Sequence, residues 1–271
     1  MNANQVRIVT YNTAAGNPRI TTPQSAFVEL SFYREALGGA SDAPILALQE
    51  VGPAQAKALR VAARTGRCRV LQIRRPGLGN ALVVPDRYQV VSSRRRYYLR
   101  SQLRGIAVGL RRALHGERPN WRQFGELRMW IEACLRDGAS GRTFTVLNTH
   151  LSVEPSLKLT QAREIVHRAE TAAARRPVIL AGDFNAPPAS RARGRDVEVA
   201  GLLARFRDMG TAVPHRRKNI DYVLAAGFEP VSSRIWSGDS LALPGSPTAE
   251  TVSDHYAEDD VLAYATEALS A

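Results

Sequence analysis

Cysteine, lysine and long apolar runs are what this chain has least of. Cys68 and Cys134 are the only two cysteines in 271 residues. Two cannot build a disulfide framework, they lack metal-ligand spacing, and they could pair only if the fold brought them together. No run of about 18 apolar residues occurs, which excludes a span on the single-helix criterion. The opening MNANQVRIVTYN enters a strand pattern at once and lacks an apolar signal region. A cytoplasmic protein is therefore expected, with a secreted one trimmed of its leader as the alternative. Lys57, Lys158 and Lys218 are the only lysines, so a formal net charge of +12 rests almost wholly on arginine. That balance favours an anionic partner, namely nucleic acid, a small phosphoester or an anionic membrane surface. A GC-biased coding sequence would also produce it.

With 44% apolar residues, the chain can bury one large core, and a single domain over 1–271 is expected. Short apolar or alternating runs read as strands: VRIVTY from Val6, ILALQEV from Ile45, NALVV from Asn80, MWIEACL from Met129, TFTVLNTH from Thr143, PVILAGD from Pro177, IDYVLA from Ile220 and DVLAY from Asp260. Helical patterns lie between them. One has Thr22 as N-cap, Pro23 at its first position and Gly38 as a stop; a second runs from Pro53 to Arg64. A third, Leu157 to Arg175, carries Leu159, Ala162, Val166 and Ala169 on one face. Several strands are joined by turns alone, which argues for an α/β sandwich of two sheets with helices outside rather than a βα barrel.

The segment 94–122 stands apart as a basic insertion, with Arg94, Arg95, Arg96, Arg100, Arg104, Arg111, Arg112, Arg118 and Arg122 among Tyr97, Tyr98 and Trp121. Leu99, Leu103, Ile106, Leu110 and Leu114 recur at helical spacing, although Gly105 and Gly109 weaken a helix by about 1 kcal/mol each. The segment reads either as a contact for a phosphate backbone or anionic surface, or as a solvated face over a core stripe, and the second reading is favoured.

Polar residues close the apolar runs. VILAGDFNAPP ends a strand on Asp183 and Asn185, TYN leaves Asn12, LQE leaves Glu50, NTHL leaves His150, Asp221 opens IDYVL, and SDH supplies Asp254 and His255. Each alone is an ordinary turn or cap residue. Together they offer the hard-oxygen ligands, acids and imidazoles that metal-assisted phosphoester hydrolysis requires.

In these motifs and their order, the chain resembles the endonuclease/exonuclease/phosphatase superfamily. The resemblance covers residues 6 to 256 and implies a DNase-like, four-layer sandwich of two packed mixed β-sheets flanked by helices. It also implies a Mg²⁺-dependent phosphoesterase in which Mn²⁺ substitutes, with Glu50, Asn12 and Asp254 at the metal. Asp183 would activate water, Asn185 would hold a phosphoryl oxygen, and His255 would pair with Asp221. His150 would contact phosphate or protonate the leaving oxygen. NTHL is more like the DNase and sphingomyelinase branches than the exonuclease III type. The inositol 5-phosphatase branch usually has WCDR where this chain reads KNIDYVL, and the phosphotyrosyl-DNA phosphodiesterase branch tends to lack the phenylalanine of GDFN. The expected activity is endonucleolytic cleavage of DNA or RNA by a monomer. The alternative is cleavage of a phospholipid headgroup or a phosphorylated metabolite.

Overall fold

A computed structural model describes residues 2–14, 23–38, 42–74, 79–116, 118, 127–210, 220–236, 255 and 257–265. Strands β1 (Gln5–Asn12), β2 (Ile45–Gln49), β3 (Cys68–Arg74), β4 (Gly79–Pro85), β11 (Phe228–Trp236) and β12 (Ala257–Tyr264) form one six-stranded sheet in the order β11-β12-β1-β2-β4-β3. Strands β5 (Tyr88–Tyr97), β6 (Met129–Asp137), β7 (Thr143–His150), β8 (Val178–Asp183), β9 (Arg207–Asp208) and β10 (Asp221–Ala226) form the other, in the order β5-β6-β7-β8-β10-β9. Both sheets are mixed. β1 runs parallel to β2 and β7 parallel to β8, while the remaining pairs are antiparallel.

Alternation along the strands divides the apolar residues between layers. Val6, Ile8, Ile45, Ala47, Leu82 and Val84 meet Ile131, Phe144, Val146, Ile179, Ala181 and Val223 in the core between the sheets. Intervening residues point outward. Val9, Tyr11, Leu46 and Leu48 pack under α1 (Pro23–Leu37) and α2 (Pro53–Thr65). Leu147, Val178, Leu180 and Leu224 pack under α4 (Pro155–Ala173) and α5 (Arg195–Leu203). The result is the four-layer sandwich, with Pro23, Pro53 and Pro155 each opening a helix where a missing amide hydrogen costs nothing. Cys68 and Cys134 lie on different sheets as free thiols.

The basic segment differs from the reading favoured above. Arg94, Arg95 and Arg96 belong to β5, and the helix α3 (Leu99–Leu114) begins after them. Its buried residues are Ser101, Gly105 and Gly109, whereas the leucines and isoleucine face outward, so the apolar stripe is not a core stripe. Trp121 and Arg122 lie outside the described residues, as does Thr22.

Candidate active site

Strand direction brings the polar residues to one edge. The carboxyl ends of the parallel pairs carry Asn12, Glu50, His150 and Asp183. Antiparallel neighbours reach the same edge with their amino ends: Asp221, at the start of β10, pairs in register with Asp183, and His255 lies two positions before the first residue of β12. Parity completes the convergence. Asn12 follows Val6 and Ile8, His150 follows Phe144 and Val146, and Asp183 follows Ile179 and Ala181, so all three continue core-facing series. The carboxyl ends of parallel strands are the usual ligand edge of α/β sheets.

A buried polar layer separates this edge from the core. Gln49 Nε2 donates to Asn148 Oδ1 at 2.8 Å, and Asn148 Nδ2 donates to the carbonyls of Leu48 (3.0 Å) and Ala81 (2.8 Å), tying the two sheets together. Beyond that layer the backbone turns sharply. Glu50 and Asn185 adopt φ of 53° and 48°, as does Ala14 at 46°, conformations in which the chain leaves the strand direction. Asn185 therefore reaches the site through a left-handed turn and not by strand alternation with Asp183. Phe184, between them, is fully buried among the outer-layer apolar residues. Gly182 (φ 143°) is dictated by contact: a Cβ there would meet the Thr149 carbonyl oxygen at 2.0 Å.

Asp183 is the hub. Its Oδ1 accepts from the Asn185 backbone N–H at 2.8 Å and its Oδ2 from Asn12 Nδ2 at 2.9 Å. His150 Nε2 lies 3.4 Å from Oδ2, and His255 Nε2 lies 3.8 Å from it. Burial, then the nearby Asp221 carboxylate, pushes the Asp183 carboxyl up to about 7, against the lowering effects of His255, Asn12 and the Asn185 amide. On the far side of His255, Nδ1 is 2.7 Å from Asp221 Oδ2. An Nδ1–H donated to that carboxylate turns Nε2 toward Asp183, the tautomer an aspartate-oriented imidazole adopts.

His150 and Asn185 form the other wall. Asn185 Nδ2 donates to the Leu151 carbonyl (2.9 Å) and lies 3.2 Å from His150 Nε2. Lys158 of α4, itself buried, donates to the Asn185 carbonyl (2.5 Å) and pairs with Asp196 of α5 (2.8 Å), pinning the loop that carries Asn185. Arg128 is buried against the His150 ring, its Nη1 touching both ring nitrogens, and shares a small cleft with Glu50, Asn80 and Met129. Sequence reading missed Arg128, Gln49 and Asn148. The available signal for Arg128 was a charged residue directly abutting the apolar MWIEACL run.

Oxygen donors suited to a hard divalent cation are present. Asp183, Asp221 and His255 place their donor atoms within 4.8 Å of one another, and two carboxylates that close favour a positive ion between or beside them. Glu50 Oε1 stands 3.8 Å from His150 Nε2, and Asn12 bridges toward the same centre through Asp183. The residues fit a divalent cation. Asp254 lies outside the described residues.

The sequence pattern of the Endonuclease/Exonuclease/phosphatase family matches residues 9–255, spanning every one of these positions. The chain belongs to that family. Its members are phosphoesterases that generally depend on a divalent metal. Solved structures agree on the fold. An endonuclease/exonuclease/phosphatase protein from Bacteroides vulgatus is 18% identical over 96% of this chain and 99% of its own, with a TM-score of 0.69. A mannosyl-6-phosphatase from Bacteroides thetaiotaomicron is 15% identical over 96% and 100%, with a TM-score of 0.70. A humanized D. rerio TDP2 is 15% identical over 96% and 99%, with a TM-score of 0.67. A search of curated proteins finds no match. As a member of the family, the protein is a hydrolase of phosphoester bonds, and identities this low carry the fold of these neighbours rather than their substrates.

Proposed function

We propose that the protein is a divalent-metal-dependent phosphodiesterase that cuts the backbone of DNA or RNA. The observation that carries this reading is the line Asp221–His255–Asp183, with His150 and Asn185 beside it, at the common edge of the two sheets. Asp183, whose two hydrogen bonds hold the carboxylate in one orientation, accepts a proton from an attacking water. Asn185 and His150, held side by side, would contact the phosphoryl oxygens. His255, oriented by Asp221, binds phosphate or moves the proton that Asp183 takes. A bound Mg²⁺, held by Glu50, Asn12 and Asp254 with Mn²⁺ able to substitute, would supply charge neutralisation for the phosphoryl oxygens. The excess of arginine favours a polyanionic substrate and contacts to backbone rather than to bases. No obligate protein partner is inferred, and a monomer is expected.

The test is nicking of supercoiled plasmid. Cleavage should require Mg²⁺ or Mn²⁺, stop with chelator, and fall by about a hundredfold or more in Asp183→Ala and in Glu50→Gln. Absence of cleavage by the unmodified protein across metals and salts would refute the nuclease assignment. A second reading, cleavage of a phospholipid headgroup or small phosphoester by the same residues, is favoured by the outward apolar stripe on α3. Hydrolysis of sphingomyelin or of a phosphomonoester panel without plasmid nicking would select it.

A further inference from the structure

Helix α3 is built inside out. Ordinarily an amphipathic helix turns its large apolar residues to the core and its small or polar ones to water. Here Ser101, Gly105 and Gly109, at i, i+4 and i+8, face the protein, and Ser101 Oγ accepts from Gln161 Nε2 of α4 at 2.9 Å. Leu99, Leu103, Ile106, Leu110 and Leu114 are 62%, 70%, 42%, 54% and 87% exposed. At 3.6 residues per turn these five fall within about 80° of the helix circumference, a continuous stripe about four turns long. The glycines show why the inner face has this form: they let α3 lie close on α4, and nothing about that packing requires leucines outside.

Charge identifies what the stripe meets. The helix holds no acidic residue, and Arg100, Arg104 and Arg111 fall on the arc next to the leucines. Arg94, Arg95 and Arg96 of β5 are exposed just before it. A groove of about 330 Å³ beside the helix is lined by Arg104, Arg112, Arg195 and Glu154, where α4 begins. Nucleic acid would use the arginines and leave the leucines in water. A lipid surface uses both: apolar side chains enter the acyl boundary while arginines meet anionic headgroups.

We propose that α3 lies in the interface of an anionic lipid bilayer and docks the enzyme there, whichever phosphoester the site cleaves. Partition should depend on apolar contact and on negative headgroups together. The test is cosedimentation of the full chain with vesicles of phosphatidylcholine alone and of phosphatidylcholine with phosphatidylglycerol, at low and high salt. Binding is expected to the mixed vesicles only, and to weaken with salt. Leu103→Gln/Ile106→Gln/Leu110→Gln should lower the partition coefficient by more than about tenfold. The same variant should keep its circular dichroism spectrum and its hydrolysis of the soluble diester bis-p-nitrophenyl phosphate. Arg104→Gln/Arg111→Gln should erase the preference for phosphatidylglycerol. The proposal is overturned if the unmodified protein stays in the supernatant, or if the glutamine variant binds vesicles as tightly. It is also overturned if sedimentation velocity shows a dimer that the variant converts to monomer, which would assign the stripe to a second copy. Vesicle binding by an unmodified protein that does not hydrolyse the diester would count against the catalytic assignment alone.

Discussion

Replacing Asp183 by asparagine should make the protein more stable and inactive at once. The carboxyl is 1% exposed and its midpoint rises from 3.8 to about 7, chiefly through burial. Because the folded state holds the proton more tightly than the unfolded chain, this group favours folding below pH about 4, and that contribution is lost as pH rises to about 7. Holding the ionised form at pH 8 costs roughly 4 kcal/mol, of which about 2 to 3 kcal/mol accrues between pH 5 and pH 8. Asparagine has nearly the same shape and no charge. It keeps an acceptor for the Asn185 N–H but sets an amide against Asn12 Nδ2, whose own Oδ1 accepts from Ala14 N–H at 2.9 Å. That mismatch costs about 1 kcal/mol and is independent of pH. Urea denaturation in the presence of chelator, at pH 5 and pH 8, should therefore show the stability difference between Asp183→Asn and the parent moving in the variant's favour by about 2 to 3 kcal/mol. A difference that stays constant, or that moves the other way, would refute the account of Asp183 as a desolvated acid beside Asp221.

Asp221→Asn replaces the carboxylate that pairs with His255 Nδ1 by a neutral amide and so removes the negative charge that raises the Asp183 midpoint. Its kcat/KM for a soluble diester should fall by about a hundredfold or more, and the acid limb of the pH profile should move to lower pH. An acid limb unmoved, or moved to higher pH, would contradict the coupling. Gly182→Ala sets a Cβ 2.0 Å from the Thr149 carbonyl oxygen at a φ of 143° and should destabilise by at least about 3 kcal/mol, read as a lowered urea midpoint.

The central strands were legible in the sequence because burial on both faces writes them as unbroken apolar runs, as in ILALQ and VILAG. The strands that escaped notice were β3, β5, β9 and β11, and each is the outer strand of its sheet. Edge strands are half-solvated, so YQVVSSRRRY and FEPVSSRIW carry arginine, serine and proline where a core strand would carry valine. The acids, amides and histidines that meet at the sheet edge, Asp254 aside, were legible for another reason: a charged or amide side chain ending an apolar run is conspicuous against it. Arg128 and the Gln49–Asn148 bond were not, since their meaning depends on partners 22 and 99 residues away. The outward stripe on α3 could not be read either. Helical spacing reveals a stripe but not its direction, which is fixed by the burial of Ser101, Gly105 and Gly109 and by the contact of Ser101 with Gln161.

The pairing of β1 with β12 also sets a timetable for synthesis. β12 inserts between β11 and β1, so one sheet keeps a gap until nearly everything between its first and last strands has been made. At roughly 5–20 residues per second, that interval is on the order of tens of seconds. Until it closes, Asn12 and Asp183 wait without His255, and the free edge of β1 is open to pairing with other chains. A nascent chain on the ribosome thus lacks His255 beside Asp183 until β12 has been delivered, and its β1 edge stays exposed in the meantime.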